Sequence, residues 1–300
     1  MGLTNVYGVP AWGKQPEQPA PRVLAGTEIA AELRREVARQ VAARVARGAE
    51  RPGLATILVG DDPASDIYVT AKHRACAEVG IRSADHRLAA GCDEDRLLAL
   101  IDDLNEDRGV SGILLQLPLP GDLRAAVAID RIDPHKDVDG LSTLSVGRLW
   151  ASRPVLAPCT PAGAMELIER SGLKVEGASA VVVGRSELVG KPLTAMLLEA
   201  NATVTVCHRQ TADLARVCAG ADLLVAACGR PLMIGREHVK PGAVVIDVGI
   251  NRVEDGIVGD VDFAAVKPIA GAITPVPGGV GPMTIAFLLR NTLRAAEQIE

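Results

Sequence analysis

Along this chain, short apolar runs ending in glycine, proline or cysteine alternate with longer stretches whose apolar residues recur at helical spacing. TEIAAELRREVARQVAARVARG (27–48) reads as an amphipathic helix of strong helix formers, with Thr27 as N-cap and Gly48 at its end. GLATILVG (53–60) reads as a buried strand and SDIYVTAKHRACAEVG (65–80) as a second helix stopped by Gly80. VSGILLQLPLP (110–120) is another buried strand, which its prolines terminate. The second half repeats the alternation in SAVVVG (179–184), ATVTVC (202–207), ADLLVAAC (221–228) and GAVVIDVG (242–249), with helix-compatible segments between the first three. Runs this rich in Val and Ile suit parallel strands covered by helices on both faces.

The expected fold class is therefore α/β: two α/β domains, the C-terminal one a Rossmann-like doubly wound parallel sheet. The boundary is expected near APCTPAG (157–163), where a Pro-flanked segment leads into the helix AGAMELIERSG. The last helix, MTIAFLLRNTLRAAEQ, lies beyond the second sheet and is expected to pack back on the first domain. The division is then a disordered N-terminal extension over 1–22, a first domain over 23–158 plus the C-terminal helix 282–300, and a nucleotide-binding domain over 159–281.

Composition narrows the function classes. The 300 residues are 48% hydrophobic and only 2% aromatic, so Ala, Val, Leu and Ile must fill the core. A net charge of −5 gives no reason to expect nucleic acid or an anionic membrane as partner, and no apolar run is long enough to span a bilayer. The six cysteines show neither C-x-x-C nor zinc-site spacing, so no metal and no disulfide are expected and a reducing cytoplasm fits. The leader has four prolines and lacks the basic start and apolar core of a signal peptide.

The candidate chemistry begins at VVVGRSELVGKPLT (181–194). Five residues separate Gly184 from Gly190, and Pro192 stands where a P-loop needs Ser or Thr, so neither a P-loop nor G-x-G-x-x-G is present. A strand still runs through a glycine turn into a helix, aiming N–H groups at an anion, and Arg185 adds a fixed charge. The next strand ends CHRQT, with Arg209 where NAD-binding units carry an acid; Arg185 and Arg209 together suit a 2′-phosphate, hence NADP. Tyr68 and Lys72, four apart on one helix, share a face. By itself that spacing most often marks a surface pair; Gln116 of QLPLP, the acidic loop DPHKDVDG (133–140) and the Pro/Gly loop TPVPGGVGPMT (274–284) give it company.

GDDPASDIYVTAK, GILLQLPLP, PHKDVDG, PCTPAG, VVGRSELVGKP, ADLLVAACGRP, VIDVGIN and TPVPGGVGPMT, in that order, resemble the motif series of the bifunctional methylenetetrahydrofolate dehydrogenase/methenyltetrahydrofolate cyclohydrolase family. The resemblance covers the chain from about Val23 onward. It implies oxidation of 5,10-methylenetetrahydrofolate with NADP⁺ and hydrolysis of the methenyl product to 10-formyltetrahydrofolate. The alternatives are a dehydrogenase alone or a non-catalytic nucleotide-binding regulator; a shikimate-type dehydrogenase leaves TPVPGGVGPMT unexplained. By the same resemblance Tyr68, Lys72, Gln116 and Asp139 are the catalytic and folate-binding residues, joined by Pro277, Gly278 and Gly279. Gly184, Arg185, Ser186, Arg209 and Ile250 bind the cofactor. A homodimer in cytoplasmic one-carbon metabolism, supplying purine biosynthesis, is also implied. Arg209 departs from the Ser of many relatives, DGLSTLSVGRL lacks their His-Pro and Asn, and the leader has no counterpart. Ser65 is expected to cap its helix, His73 and His208 to be structural or exposed, His135 and Lys136 to shape the acidic loop, Asp133 and Asp137 to cap turns, and Cys159 to be a small buried residue.

Overall fold

The computed structural model describes residues 21–254 and 256–298; the expected disorder over 1–20 lies outside the described residues. In chain order the elements are β1 (Arg22–Val23), α1 (Gly26–Ala46), β2 (Gly53–Val59), α2 (Pro63–Val79), β3 (Arg82–Leu88), α3 (Glu94–Glu106), β4 (Gly112–Leu115), α4 (Ala125–Arg131) and α5 (Thr143–Trp150). Then come α6 (Cys159–Ser171), β5 (Ser179–Val183), α7 (Gly190–Glu199), β6 (Thr203–Cys207), α8 (Leu214–Cys218), β7 (Leu223–Ala226), β8 (Val244–Asp247), β9 (Asn251–Val253), β10 (Gly256–Val258), α9 (Phe263–Val266), β11 (Ala272–Ile273) and α10 (Val280–Gln298).

Three strands form a parallel sheet in the order β3-β2-β4, and six form a second parallel sheet, β1-β11-β8-β7-β5-β6. β2 is buried along its whole length because helices cover both its faces. Each of Leu54, Ile57 and Leu58 contributes on the order of 1.5–3 kcal/mol by burial. β3 has no apolar run to announce it: as an edge strand, RSADHRL keeps charged and polar side chains toward solvent. In the larger sheet the strand order reverses beside β5, with β6 on one flank and β7 on the other. The carboxyl ends of β5 and β7 therefore diverge into a crevice, the position where doubly wound sheets bind their ligand.

The start of the chain departs from the expected division. An extension running to residue 22, with the first domain beginning at 23, does not hold: Arg22 and Val23 form the edge strand β1 of the six-stranded sheet. They pair with Ala272 and Ile273. Only then does the chain turn into α1. That helix starts at Gly26 with Ala25 as its cap, not at Thr27, because the Thr27 N–H and hydroxyl both donate to the Gly278 carbonyl, at 3.0 and 3.3 Å. A Cβ on Gly26 would lie 1.9 Å from the Gly279 carbonyl oxygen, so the approach requires glycine. At the other end α10 packs on α1 and α6 and reaches β2 and β4 of the three-stranded sheet.

Candidate active site

α2 begins with Asp62, whose carboxylate accepts from the Ser65 N–H and hydroxyl, both at 2.8 Å; the cap is thus Asp62, with Ser65 as its donor. One turn along, Tyr68 and Lys72 face forward from this helix into two neighbouring cavities. Tyr68, 41% exposed, lines a space of about 170 Å³ with Ile250, Pro277, Gly278 and Gly279, so one wall comes from the loop after β8 and another from the Pro/Gly loop. Among the described residues its hydroxyl has no hydrogen-bond partner, Lys72 included. Lys72 instead donates to Gln116 Oε1 at 3.0 Å, and the Gln116 amide is held in turn by the Leu117 carbonyl at 2.7 Å. Lys72 lines a second cavity of about 110 Å³ with Asp139, Leu141, Cys159, Thr160, Thr284 and Leu188. Leu188 belongs to the glycine turn after β5, so this cavity spans both sheets.

Burial dominates the electrostatics here. It lowers the Lys72 ammonium below the usual lysine range, against the opposing pull of Asp139 and Cys159. It raises the Asp139 carboxyl, which Lys72 works to lower and Asp137 raises further. Gln116 adds a neutral acceptor to the amine and so no charge to restore its basicity. Cys159 is buried as expected and lines the same cavity as the acid: its thiol donates to the Val138 carbonyl at 3.2 Å, and burial, then the nearby Asp139 charge, pushes it well above the ordinary thiol range. Asn291 of α10, 1% exposed, donates to the carbonyls of Val138 and Ala157 at 2.9 and 2.8 Å. One side chain from the last helix thus ties together the two segments that carry Asp139 and Cys159. Nothing in the motif pattern distinguished Asn291; the only signal was a polar residue on the apolar face of that helix.

The remaining residues of the acidic loop are structural. Asp137 accepts from Leu141 N, Ser142 N and the Ser145 hydroxyl, and Lys136 donates to the carbonyls of Leu104, Asn105 and Asp107. His135 sits against Asp133 at 3.1 Å, and His73 is held between the hydroxyls of Thr56 and Ser83, both at 2.8 Å. Among the described residues no three His, Cys, Asp or Glu side chains gather as a metal site would require, and no helix is long and apolar enough to cross a membrane.

At the crevice beside β5, a pocket of about 450 Å³ is lined by Gly184, Arg185 and Ser186 after β5, His208 and Arg209 after β6, and Cys228 and Arg230 after β7. Gly184 has φ +130°, and a Cβ there would meet the Ala227 carbonyl oxygen at 2.0 Å, so the turn is open only to glycine. The Ser186 hydroxyl accepts from the N–H groups of Val189 and Gly190 at 3.2 and 3.4 Å, which fixes the start of α7. The donor set suits a dinucleotide with an extra phosphate: fixed cations around a bare glycine turn. Ile250, half exposed, lies not in this pocket but in the Tyr68 cavity.

Residues 24–139 match the family model of the tetrahydrofolate dehydrogenase/cyclohydrolase catalytic domain, and residues 158–300 match that of its NAD(P)-binding domain. The bifunctional protein FolD 2 of Frankia alni is 55% identical over 274 residues, covering 91% of this chain and 95% of that protein. The crystal structure of the bifunctional FolD enzyme from Campylobacter jejuni superposes with a TM-score of 0.91 at 45% identity, covering 93% of this chain and 99% of that one. The Trypanosoma brucei methylenetetrahydrofolate dehydrogenase-cyclohydrolase, solved with NADP cofactor and inhibitor, gives a TM-score of 0.89 at 37% identity, over 93% and 98% of the two chains.

Proposed function

The chain belongs to the tetrahydrofolate dehydrogenase/cyclohydrolase family, and from that premise we propose how its residues divide the two reactions. The protein is a bifunctional enzyme that oxidises 5,10-methylenetetrahydrofolate to the 5,10-methenyl form with NADP⁺ and hydrolyses the product to 10-formyltetrahydrofolate. When bound, NADP⁺ would supply the hydride acceptor; Gly184, Arg185, Ser186 and Arg209 would hold its phosphates, and Ile250, in the Tyr68 cavity, would contact the cofactor on the folate side. That step needs alignment of two carbons and no proton acceptor. Tyr68, Pro277, Gly278 and Gly279 therefore serve as flat walls for the folate ring system, and Asp139 accepts from its amino-pyrimidine edge.

Hydrolysis does need proton handling. Water adds to the methenyl carbon and must lose a proton before the ring opens. Lys72 takes that proton as a neutral amine: burial keeps its affinity for protons low, and Gln116 orients it. The observation that carries this reading is the cavity where Lys72 and Asp139 meet Leu188 of the dinucleotide turn. The first domain then holds the folate chemistry and the six-stranded sheet the cofactor. The enzyme works as a pair of identical chains in the cytoplasm, in one-carbon metabolism that supplies purine biosynthesis, by its likeness to the family. Purified protein given methylenetetrahydrofolate and NADP⁺ should form NADPH and then lose methenyl absorbance. NADPH without methenyl loss would leave only the dehydrogenase, and the absence of both signals would overturn the reading.

A further inference from the structure

Arg230 enters the cofactor crevice from the end of ADLLVAACGRP, a motif of the series to which no site residue was assigned. β5 and β7 flank the point where the strand order reverses, so the loops after them face one ligand. Arg185 follows β5, Arg209 follows β6 and Arg230 follows β7, and all three line the same 450 Å³ pocket. Among the described residues, none of these three guanidiniums has an ion pair; the nearby Lys191 and Arg216, by contrast, are spent on Glu187 and Asp213. Three like charges around one cavity repel each other, and a multiply charged anion removes that repulsion.

The loop itself is held by a buried acid. Asp260, fully enclosed, accepts from three consecutive N–H groups: Cys228 at 2.6 Å and Gly229 at 2.9 Å on one oxygen, and Arg230 at 3.0 Å on the other. Asn251 donates to it at 2.8 Å, and its own N–H is fixed by Asp247 at 3.0 Å. Gly229, at φ +64°, lets the chain turn under the carboxylate, and a Cβ on Gly249 would sit 2.3 Å from it. The position of Arg230 is therefore set from below, not by solvent.

We propose that Arg230 joins Arg185 and Arg209 in holding the 2′-phosphate of NADP, and that Asp260 is the positioning residue that aims it. The inference rests on the NADP reading above. The 2′-phosphate is favoured over the pyrophosphate because Arg230 shares its pocket with Arg209, at the strand end where the ribose hydroxyl is read.

The test is calorimetric binding of NADP⁺, NAD⁺ and adenosine 2′,5′-bisphosphate to the full chain. Arg230→Gln should weaken NADP⁺ and the bisphosphate by about ten- to a hundredfold, leave NAD⁺ within about twofold, and be partly rescued by Arg230→Lys. Asp260→Asn should also weaken NADP⁺, and that loss should vanish in the Arg230→Gln background, because an aiming residue has nothing left to aim. Equal weakening of NADP⁺ and NAD⁺ by Arg230→Gln, or no weakening, would overturn the inference, as would additive effects of the two substitutions for the role of Asp260. Failure of the unaltered protein to bind NADP⁺ would instead overturn the cofactor reading.

Discussion

The two sides of the cleft solve opposite electrostatic problems. On the folate side an amine, an acid and a thiol are enclosed in about 110 Å³, each shifted by burial, the amine bonded to Gln116 and the thiol to the Val138 carbonyl. On the cofactor side the guanidiniums stand open around about 450 Å³, with no ion-pair partner among the described residues. Holding a phosphate calls for charges that never titrate, which arginine supplies. Moving a proton calls for one that does, and a lysine in a dry site supplies that. Exposure and burial thus follow from what each charge must do. Binding charges wait for their counter-ion, and the reacting charge is poised by its surroundings.

The sharpest way to separate the two sides is Lys72→Met. Hydrolysis of the methenyl compound should fall by at least about a hundredfold while hydride transfer persists in part, followed as methenyl and NADPH absorbance. Equal loss of both would mean that Lys72 holds substrate and moves no proton. Arg209→Gln should lower kcat/KM for NADP⁺ by about ten- to a hundredfold with NAD⁺ and hydrolysis little changed, and a parallel fall with NAD⁺ would break the contrast. Asn291→Ala should cost about 1–3 kcal/mol in a urea melt by leaving the Val138 and Ala157 carbonyls unpaired. It should raise the KM for folate without altering the Kd for NADP⁺. The smallest effect is expected from Gln116→Glu. A carboxylate beside the amine raises the Lys72 pKa, so hydrolysis, which needs the neutral amine, should rise with pH about one unit later than in the unaltered enzyme. Hydride transfer should keep its pH profile.

Sequence pattern reached the two sides unequally. β2, β5, β7 and β8 are apolar on both faces and were plain as runs; β3 and β6 are edge strands, and only the second kept enough Val to be read. β1 is two residues long and pairs with a strand some 250 positions away, a contact that no local signal carries. Lys72, Gln116 and Asp139 were legible through the motif series, whereas the tie from Asn291 depends on how α10 crosses the molecule. Arg230 and Asp260 were within reach in principle: CGRP follows the run of β7 as GRS follows that of β5, and a strand-order reversal makes the two loops neighbours. Without the sheet order, that equivalence has no meaning.

The first strand of the chain lies in the cofactor sheet although the helix after it serves the folate half, and the last helix reaches back across both. Each half thus borrows a terminus from the other. A chain cut between Asp139 and Cys159 would therefore leave neither piece with all the elements that its sheet packs against.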